Sequence, residues 1–134
     1  MNNHHAAIQK AKQLVIGKSL QVFQEVAVES GAVAIDATPV LSGHLVSNWA
    51  LRANAPKSDE EDIFSPVRAA TKQRMLAAVR GIKLGDRVFI ANPTHYAVYI
   101  NDGTPKIKPR MMTEIAVAAI PAIVKRAQAK ANGR

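Results

Sequence analysis

The sequence contains no cysteine, and this absence removes several classes of function at once. Without thiols there is no disulfide framework, no thiolate metal site and no cysteine nucleophile. Aromatic residues make up only 4% of the 134 residues, so stacking platforms for single-stranded nucleic acid are not expected. The apolar runs are far shorter than the roughly 18 residues that a membrane-spanning helix needs, and we expect no contact with a membrane. The N-terminal residues show no pattern of a secretory signal.

Acidic residues are the minority charge. Ten Asp and Glu stand against eighteen Lys and Arg, which gives a net charge of +8 and an isoelectric point near 10.1. A basic balance permits contact with nucleic acid or with acidic protein surfaces, although it also serves solubility. No zinc finger, ribonucleoprotein motif or interleaved aromatic pattern is present, so sequence-specific readout is not indicated. A small basic protein that binds nucleic acid without sequence preference remains an alternative interpretation.

Small apolar residues are what the sequence has in abundance. Hydrophobic residues account for 48% of the chain, and the many alanines favour helices. The length fits one domain over 1–134. Hydrophobic periodicity and turn signals predict a definite order of elements. These are a helix over 6–35, a half-buried strand over 47–54, a helix over 65–80, a strand over 87–91 covered on both faces, a short helix or strand over 95–101, and a helix over 111–131.

The predicted fold is therefore α+β, with a long N-terminal helix, a small antiparallel sheet, a middle helix and a C-terminal helix. Ser65 and Pro66 are favourable residues for a helix start. Gly31 is a position where the first helix could end or bend, and Pro121 is one where the last helix could kink. The first helix is long for so small a domain, and its apolar stripe suggests packing against something beyond its own chain.

Catalytic patterns are weak. The seven glycines stand singly and form no phosphate-binding loop. Ser42 lies two residues before His44, but no nucleophile-elbow pattern surrounds it, and a turn serine that pairs with local backbone amides is the simpler interpretation. His95 and Tyr96 could form an acid–base pair, although such side chains more often edge a core. We expect no catalytic residue and no enzymatic activity.

Metal ligands are poorly spaced as well. The four histidines, His4, His5, His44 and His95, have no zinc-binding spacing on a helix. The four consecutive acids at 59–62 lack the glycine turn and the alternation of a calcium loop. We expect neither a metal site nor a cofactor, and we interpret 55–62 as a solvated, exposed loop.

Two segments together resemble a known family. The first, Thr38–Trp49 (TPVLSGHLVSNW), directly follows the long predicted helix. The second, Val88–Thr104 (VFIANPTHYAVYINDGT), has a strand ending in Asn, a Tyr-Ala pair and a Gly-Thr turn. Both are similar to motifs of bacteriophage tail-completion and head–tail joining proteins, the minor tail protein Z-like group. The positions that carry the resemblance are Pro39, Gly43, Trp49, Asn92, Tyr96, Ala97, Gly103 and Thr104.

These residue types also make structural sense without the resemblance. Pro39 fixes the direction in which the chain leaves the helix. Gly43 allows a tight turn that lays Trp49 over the sheet. Gly103 lets the chain reverse and direct the segment 104–110 away from the body as an exposed basic arm. A purely structural role is the simpler interpretation of both motif segments.

The resemblance implies a non-enzymatic virion protein of the phage neck or upper tail, made in the host cytoplasm. It implies a closed ring of six copies, built from head-to-tail contacts, that completes the tail or joins it to the head. Adjacent neck and tail proteins would then be its partners. A tail terminator and a head-closure protein remain open as related alternatives. If basic residues line the channel of such a ring, they would contact DNA weakly and without sequence preference.

The two exposed loops are the predicted contacts between subunits or between rings. One is acidic and the other is basic, so they could pair across an interface. The residues are Asp59, Glu60, Glu61 and Asp62 on one side and Lys106, Lys108 and Arg110 on the other.

Overall fold

The structure is a computed structural model that describes the backbone of residues 3–133 and the side chains of residues 6–133. The expectation that His4 and His5 hold no metal therefore lies outside the described side chains. Within residues 3–133, seven elements follow one another. They are α1 (Asn3–Asp36), α2 (His44–Ser47), β1 (Ala50–Ala53), α3 (Arg68–Val79), β2 (Val88–Ala91), α4 (Ala97–Asp102) and α5 (Met112–Ala131). The predicted α+β fold is confirmed, and α2 is a single helical turn.

The long N-terminal helix is confirmed, and it runs through Gly31 without ending there. Its C-terminal half packs along α5 and α3. A methyl group on Gly31 would collide with Sδ of Met75, a buried side chain of α3. Gly31 therefore permits a close approach between two helices, and the stabilisation from that packing outweighs the low helix propensity of glycine.

The core forms where the end of α1 meets α2, α3 and the start of α5. Its fully buried side chains include Ile35, Val46, Met75 and Met112. Thr38, which is 1% exposed, connects this core by hydrogen bonds. Its hydroxyl accepts a hydrogen bond from Nε1 of Trp49 (2.7 Å) and donates one to the carbonyl oxygen of Ala34 (2.7 Å). The hydroxyl thus pairs one of the last carbonyls of α1, which has no partner within the helix.

The sheet has two antiparallel strands, with Ala50 opposite Ala91 and Ala53 opposite Val88. The first strand is shorter than predicted because the chain before it is occupied by α2 and by Asn48. Alternation along the strand predicted over 47–54 would place Asn48 on the face opposite Trp49, but its side chain is buried and hydrogen-bonded. All four residues of the second strand are half-buried. Because successive side chains point to opposite faces, each face of this strand is partly covered and neither is fully buried.

The structure shows where the middle helix starts, how the last helix passes Pro121, and that the segment after β2 is helical. The middle helix begins at Arg68, since Val67 is still extended, and Ser65 forms a local turn in which its hydroxyl accepts from the backbone N–H of Val67 (3.3 Å). The C-terminal helix continues through Pro121. The uncertain segment 95–101 forms helix α4.

The basic segment 104–110 does not leave the body as an arm, which corrects that prediction. Thr104 and Ile107 pair through two backbone hydrogen bonds (2.9 and 3.1 Å), with Pro105 and Lys106 between them as a tight turn. The backbone N–H of Arg110 then donates to the carbonyl oxygen of Ile100 in α4 (2.9 Å). Proline is favoured at the first central position of such turns, so the segment is closed locally.

Candidate assembly surfaces

The side chains that looked catalytic in the sequence are used to hold loops together. Ser42 accepts a hydrogen bond from the backbone N–H of His44 (3.3 Å), as a turn serine does. The His44 ring is directed to Glu60 and to the carbonyl oxygen of Ile63. Within residues 6–133, no group of three or more His, Asp or Glu side chains is arranged to hold a metal ion. Over the same stretch, no helix is long and apolar enough to span a bilayer.

Glu60 bridges two histidines that are distant in sequence. One carboxylate oxygen lies 3.2 Å from Nε2 of His44, and the other lies 2.8 Å from Nδ1 of His95 and also accepts the backbone N–H of His95. The buried His44 ring stacks on Phe64, with ring centroids 4.7 Å apart. The backbone N–H of His95, followed by the side chains of His44 and His95, lowers the pKa of Glu60 from 4.5 to about 2.

The acid stability of the protein should therefore depend on Glu60. Because its pKa is lower in the folded state, the ionised carboxylate stabilises the fold above pH 4.5, and this contribution is lost as the pH falls towards about 2. We expect Glu60→Gln to reduce the loss of thermal stability across that window, while Asp59→Asn leaves the loss unchanged. Melting temperatures measured between about pH 2 and pH 7 test this. A full wild-type loss in Glu60→Gln would contradict it. The part that remains would come from Glu61, Asp86 and Glu114, whose pKa values are also lowered.

Glu61 fixes the acidic loop at a second point. Its backbone N–H donates to Oδ1 of Asn48 (2.8 Å), and Nδ2 of Asn48 donates back to the carbonyl oxygen of Glu61 (3.1 Å). Its carboxylate pairs with Nζ of Lys57 at 2.9 Å, and this contact lowers the pKa of Glu61. The two middle acids thus hold the loop, whereas Asp59 and Asp62 are exposed and form no ion pair within residues 6–133.

Some of the Lys and Arg side chains form ion pairs or hydrogen bonds within the chain. Lys72 pairs with Asp36 at 2.7 Å, and Lys130 pairs with Glu25 at 3.2 Å. Arg68 donates to the carbonyl oxygens of Ile35 (3.3 Å) and Thr38 (2.7 Å). In contrast, the exposed cations of the 104–110 turn form no ion pair with any described side chain. They are Lys106, Lys108 and Arg110.

The N-terminal half of α1 extends beyond the body. Every side chain from Ala6 to Ser19 is exposed, and the first neighbours from the rest of the chain appear around Gly17 to Val22. The helix up to this point is about 20 Å long at 1.5 Å per residue. One side of it carries an apolar stripe, on which Ile8 is 55%, Val15 63% and Ile16 56% exposed. The stripe has no cover in the described part of the chain.

Three further exposed apolar side chains lie on the two segments that meet at Gly43. Gly43 has φ 87°, and its Cα lies directly against the backbone of Phe64 and Ser65. Leu41 is 79% exposed, and Phe64 and Val67 are each 55% exposed. We call Leu41, Phe64 and Val67 the Gly43 patch. The acidic loop borders it, because Phe64 stacks on the same His44 ring that contacts Glu60.

The two motif segments that carry the family resemblance meet in space. Nδ2 of Asn92 donates to the carbonyl oxygen of Leu45 (2.7 Å), which joins the second segment to the first. Tyr96 and the buried Ala97 begin α4. Trp49 ends the first segment and donates a hydrogen bond to Thr38 at its start (2.7 Å), and Gly103 and Thr104 lead into the basic turn.

Sequence reasoning missed the Glu60 bridge and the Gly43 patch. Glu60 lies 16 residues from His44 and 35 from His95, and no local pattern connects positions so far apart. Leu41, Phe64 and Val67 are isolated apolar residues in irregular segments, so periodicity gives no signal there. By contrast, the apolar stripe of α1 was recognised in the sequence as a surface that exceeds the needs of one domain.

No protein-family model, curated protein or solved structure matches this chain. A functional assignment therefore depends on the surfaces described above and on the motif resemblance.

Proposed function

We propose that this chain is a non-enzymatic virion structural protein of the phage neck or upper tail. Copies of it associate head to tail into a closed ring that completes the tail or joins it to the head, where it meets adjacent neck and tail proteins. The observation that supports this most is the uncovered apolar half of α1. The resemblance of Thr38–Trp49 and Val88–Thr104 to tail-completion motifs supplies the virion context.

A helix whose apolar side chains are all exposed to water is poorly stabilised in an isolated chain. Short helical segments in water gain most of their stability from packing an apolar face, and a contiguous exposed stripe marks an interaction surface. The α1 stripe and the Gly43 patch belong to different parts of the chain. A contact between two different surfaces is heterologous, and such contacts form a ring when the rotation between copies closes.

The positive charge fits a secondary role in the same assembly. Lys106, Lys108 and Arg110 are exposed on one turn. If that turn faces the channel, it would attract DNA through phosphate contacts that weaken with salt. The competing function is a small basic protein that binds nucleic acid as a monomer or dimer.

The mass of the purified protein in solution tests the proposal. Light scattering on nucleic-acid-free protein in about 0.5 M salt, where non-specific phosphate contacts are weak, should give one discrete multiple of the 14.4 kDa chain. The family resemblance sets the expected number at six. A monomer or dimer that binds duplex DNA with a steep salt dependence would contradict the ring and favour the nucleic-acid-binding function.

A further inference from the structure

We propose that the apolar stripe of α1 docks on the Gly43 patch of the next copy in the assembly. The inference rests on the proposed function and specifies which two surfaces form the contact. Charge is the observation that selects the partner surface, because several exposed apolar surfaces could cover the stripe by area alone.

All charged side chains in the N-terminal half of α1 are positive. Residues 6–24 contain Lys10, Lys12 and Lys18 and no acid. At 100° per residue, Lys12 lies within the stripe of Ile8, Val15 and Ile16, and Lys18 lies next to its Val15 edge. Lys10 lies on the opposite face of the helix. Lys12 lines the same surface as Ile8 and Val15. The surface that covers the stripe therefore faces two cations.

The Gly43 patch offers the opposite charge. Asp59 and Asp62 are exposed in the loop that leads into Phe64, and they have no ion-pair partner in the described structure. Glu60 and Glu61, in contrast, are held by His44, His95, Lys57 and Asn48. Arg68, which follows Val67, is directed to the carbonyl oxygens of Ile35 and Thr38. Two unpaired carboxylates in the loop that leads to this patch are opposite in charge to the two lysines on the stripe side of α1.

The other apolar surfaces carry the wrong charge. Two copies of the α1 stripe packed on each other would bring Lys12 and Lys18 of both copies together. The exposed residues Val98 and Val117 belong to the α4–α5 side, which also carries the basic turn. From residue 97 to residue 131, which covers α4, the basic turn and α5, six Lys and Arg stand against two acids, Asp102 and Glu114. Like charges at an interface disfavour both arrangements.

Site-specific cross-linking tests the contact directly. The native chain has no cysteine, so only introduced thiols react. We expect Val15→Cys and Val67→Cys, when mixed and treated with a short bis-maleimide, to form a mixed cross-linked pair. The double variant should form a ladder of products that stops at the ring size. Val117→Cys is the matched control, since Val117 and Val15 are both apolar and both 63% exposed.

The possible products separate the proposals. A Val15→Cys homodimer, or a Val15→Cys product with Val117→Cys, would overturn the docking site. So would the absence of any product. In either case a discrete ring mass for the wild-type chain would leave the proposed function standing. A monomeric chain that binds DNA would contradict both the docking site and the proposed function.

Charge reversal gives an independent test. Lys12→Glu with Lys18→Glu, and Asp59→Lys with Asp62→Lys, should each weaken self-association by about tenfold or more, and the combined variant should recover most of it. Lys10→Glu, on the opposite helix face, should have little effect. If the acid reversal is instead restored by reversing Lys106, Lys108 and Arg110, the acidic loop pairs with the basic turn, and the docking of α1 on the Gly43 patch is wrong.

Discussion

Gly43→Ala should destabilise the fold by about 3 kcal/mol, which combines a left-handed backbone with a steric collision. Gly43 has φ 87°, and a Cβ there would lie 2.5 Å from the carbonyl oxygen of Phe64 and 2.6 Å from the carbonyl carbon of Ser65. Both atoms belong to the backbone and cannot rotate away as the end of a side chain could. The segment 63–66 would have to move away from α2. Urea unfolding followed by circular dichroism measures the loss.

Gly85→Ala is the matched control for this prediction. Gly85 also has a positive φ, 94°, but nothing lies within 4 Å of a Cβ at that position. It should therefore show only the conformational cost of about 1–2 kcal/mol. The difference between the two variants isolates the collision with the backbone of 64–65. Equal losses would show that this backbone moves aside without cost, and the close contact would then have no part in stability.

Thr38→Val should cost about 2–3 kcal/mol, because it removes the hydroxyl that Trp49 and the end of α1 share. Valine fills nearly the same volume as threonine, so the loss comes from the unpaired Nε1–H of Trp49 and the unpaired carbonyl oxygen of Ala34. Both groups would remain buried, since Trp49 is 4% and Ala34 2% exposed. A buried polar group without a partner costs more than a hydrogen bond between exposed groups contributes.

Thr38→Ser separates the hydroxyl from the methyl group. Serine keeps both hydrogen bonds and loses one methyl group, so its cost should be only about 1 kcal/mol. Trp49 is the single tryptophan of the chain, and its fluorescence therefore reports unfolding and the local environment together. A valine variant as stable as the wild type, with unchanged fluorescence, would show that this hydrogen-bonded connection is not needed.

These two sites also concern the proposed docking surface. Gly43 places the segment that carries Leu41 against the segment that carries Phe64, and Thr38 fixes the chain as it leaves α1. The Gly43 patch thus borders a close backbone contact and a buried hydrogen-bonded connection. A rigid patch loses little conformational entropy on binding, which favours its use as a docking site.

The sequence by itself determined the fold class, the long first helix and the order of the elements. These features depend on local signals. The apolar stripe between Ile8 and Ala27 repeats with helical spacing, and Thr38-Pro39 stops the helix because proline disfavours helical backbone at the preceding residue. The exposure of the stripe on α1 also follows from its length, since a domain of 134 residues is too small to cover the whole of a 34-residue helix.

Only the tertiary structure decided which polar groups meet. Glu60 is one of four consecutive acids, and nothing local distinguishes it from Asp59; its position between His44 and His95 arises when three distant segments pack together. The basic turn was predicted to project, but backbone hydrogen bonds to its own residues and to α4 close it. Hydrogen bonds between residues far apart in sequence depend on how the loops bring distant segments together. A periodic pattern of apolar residues reports only local structure and does not show which distant segments meet.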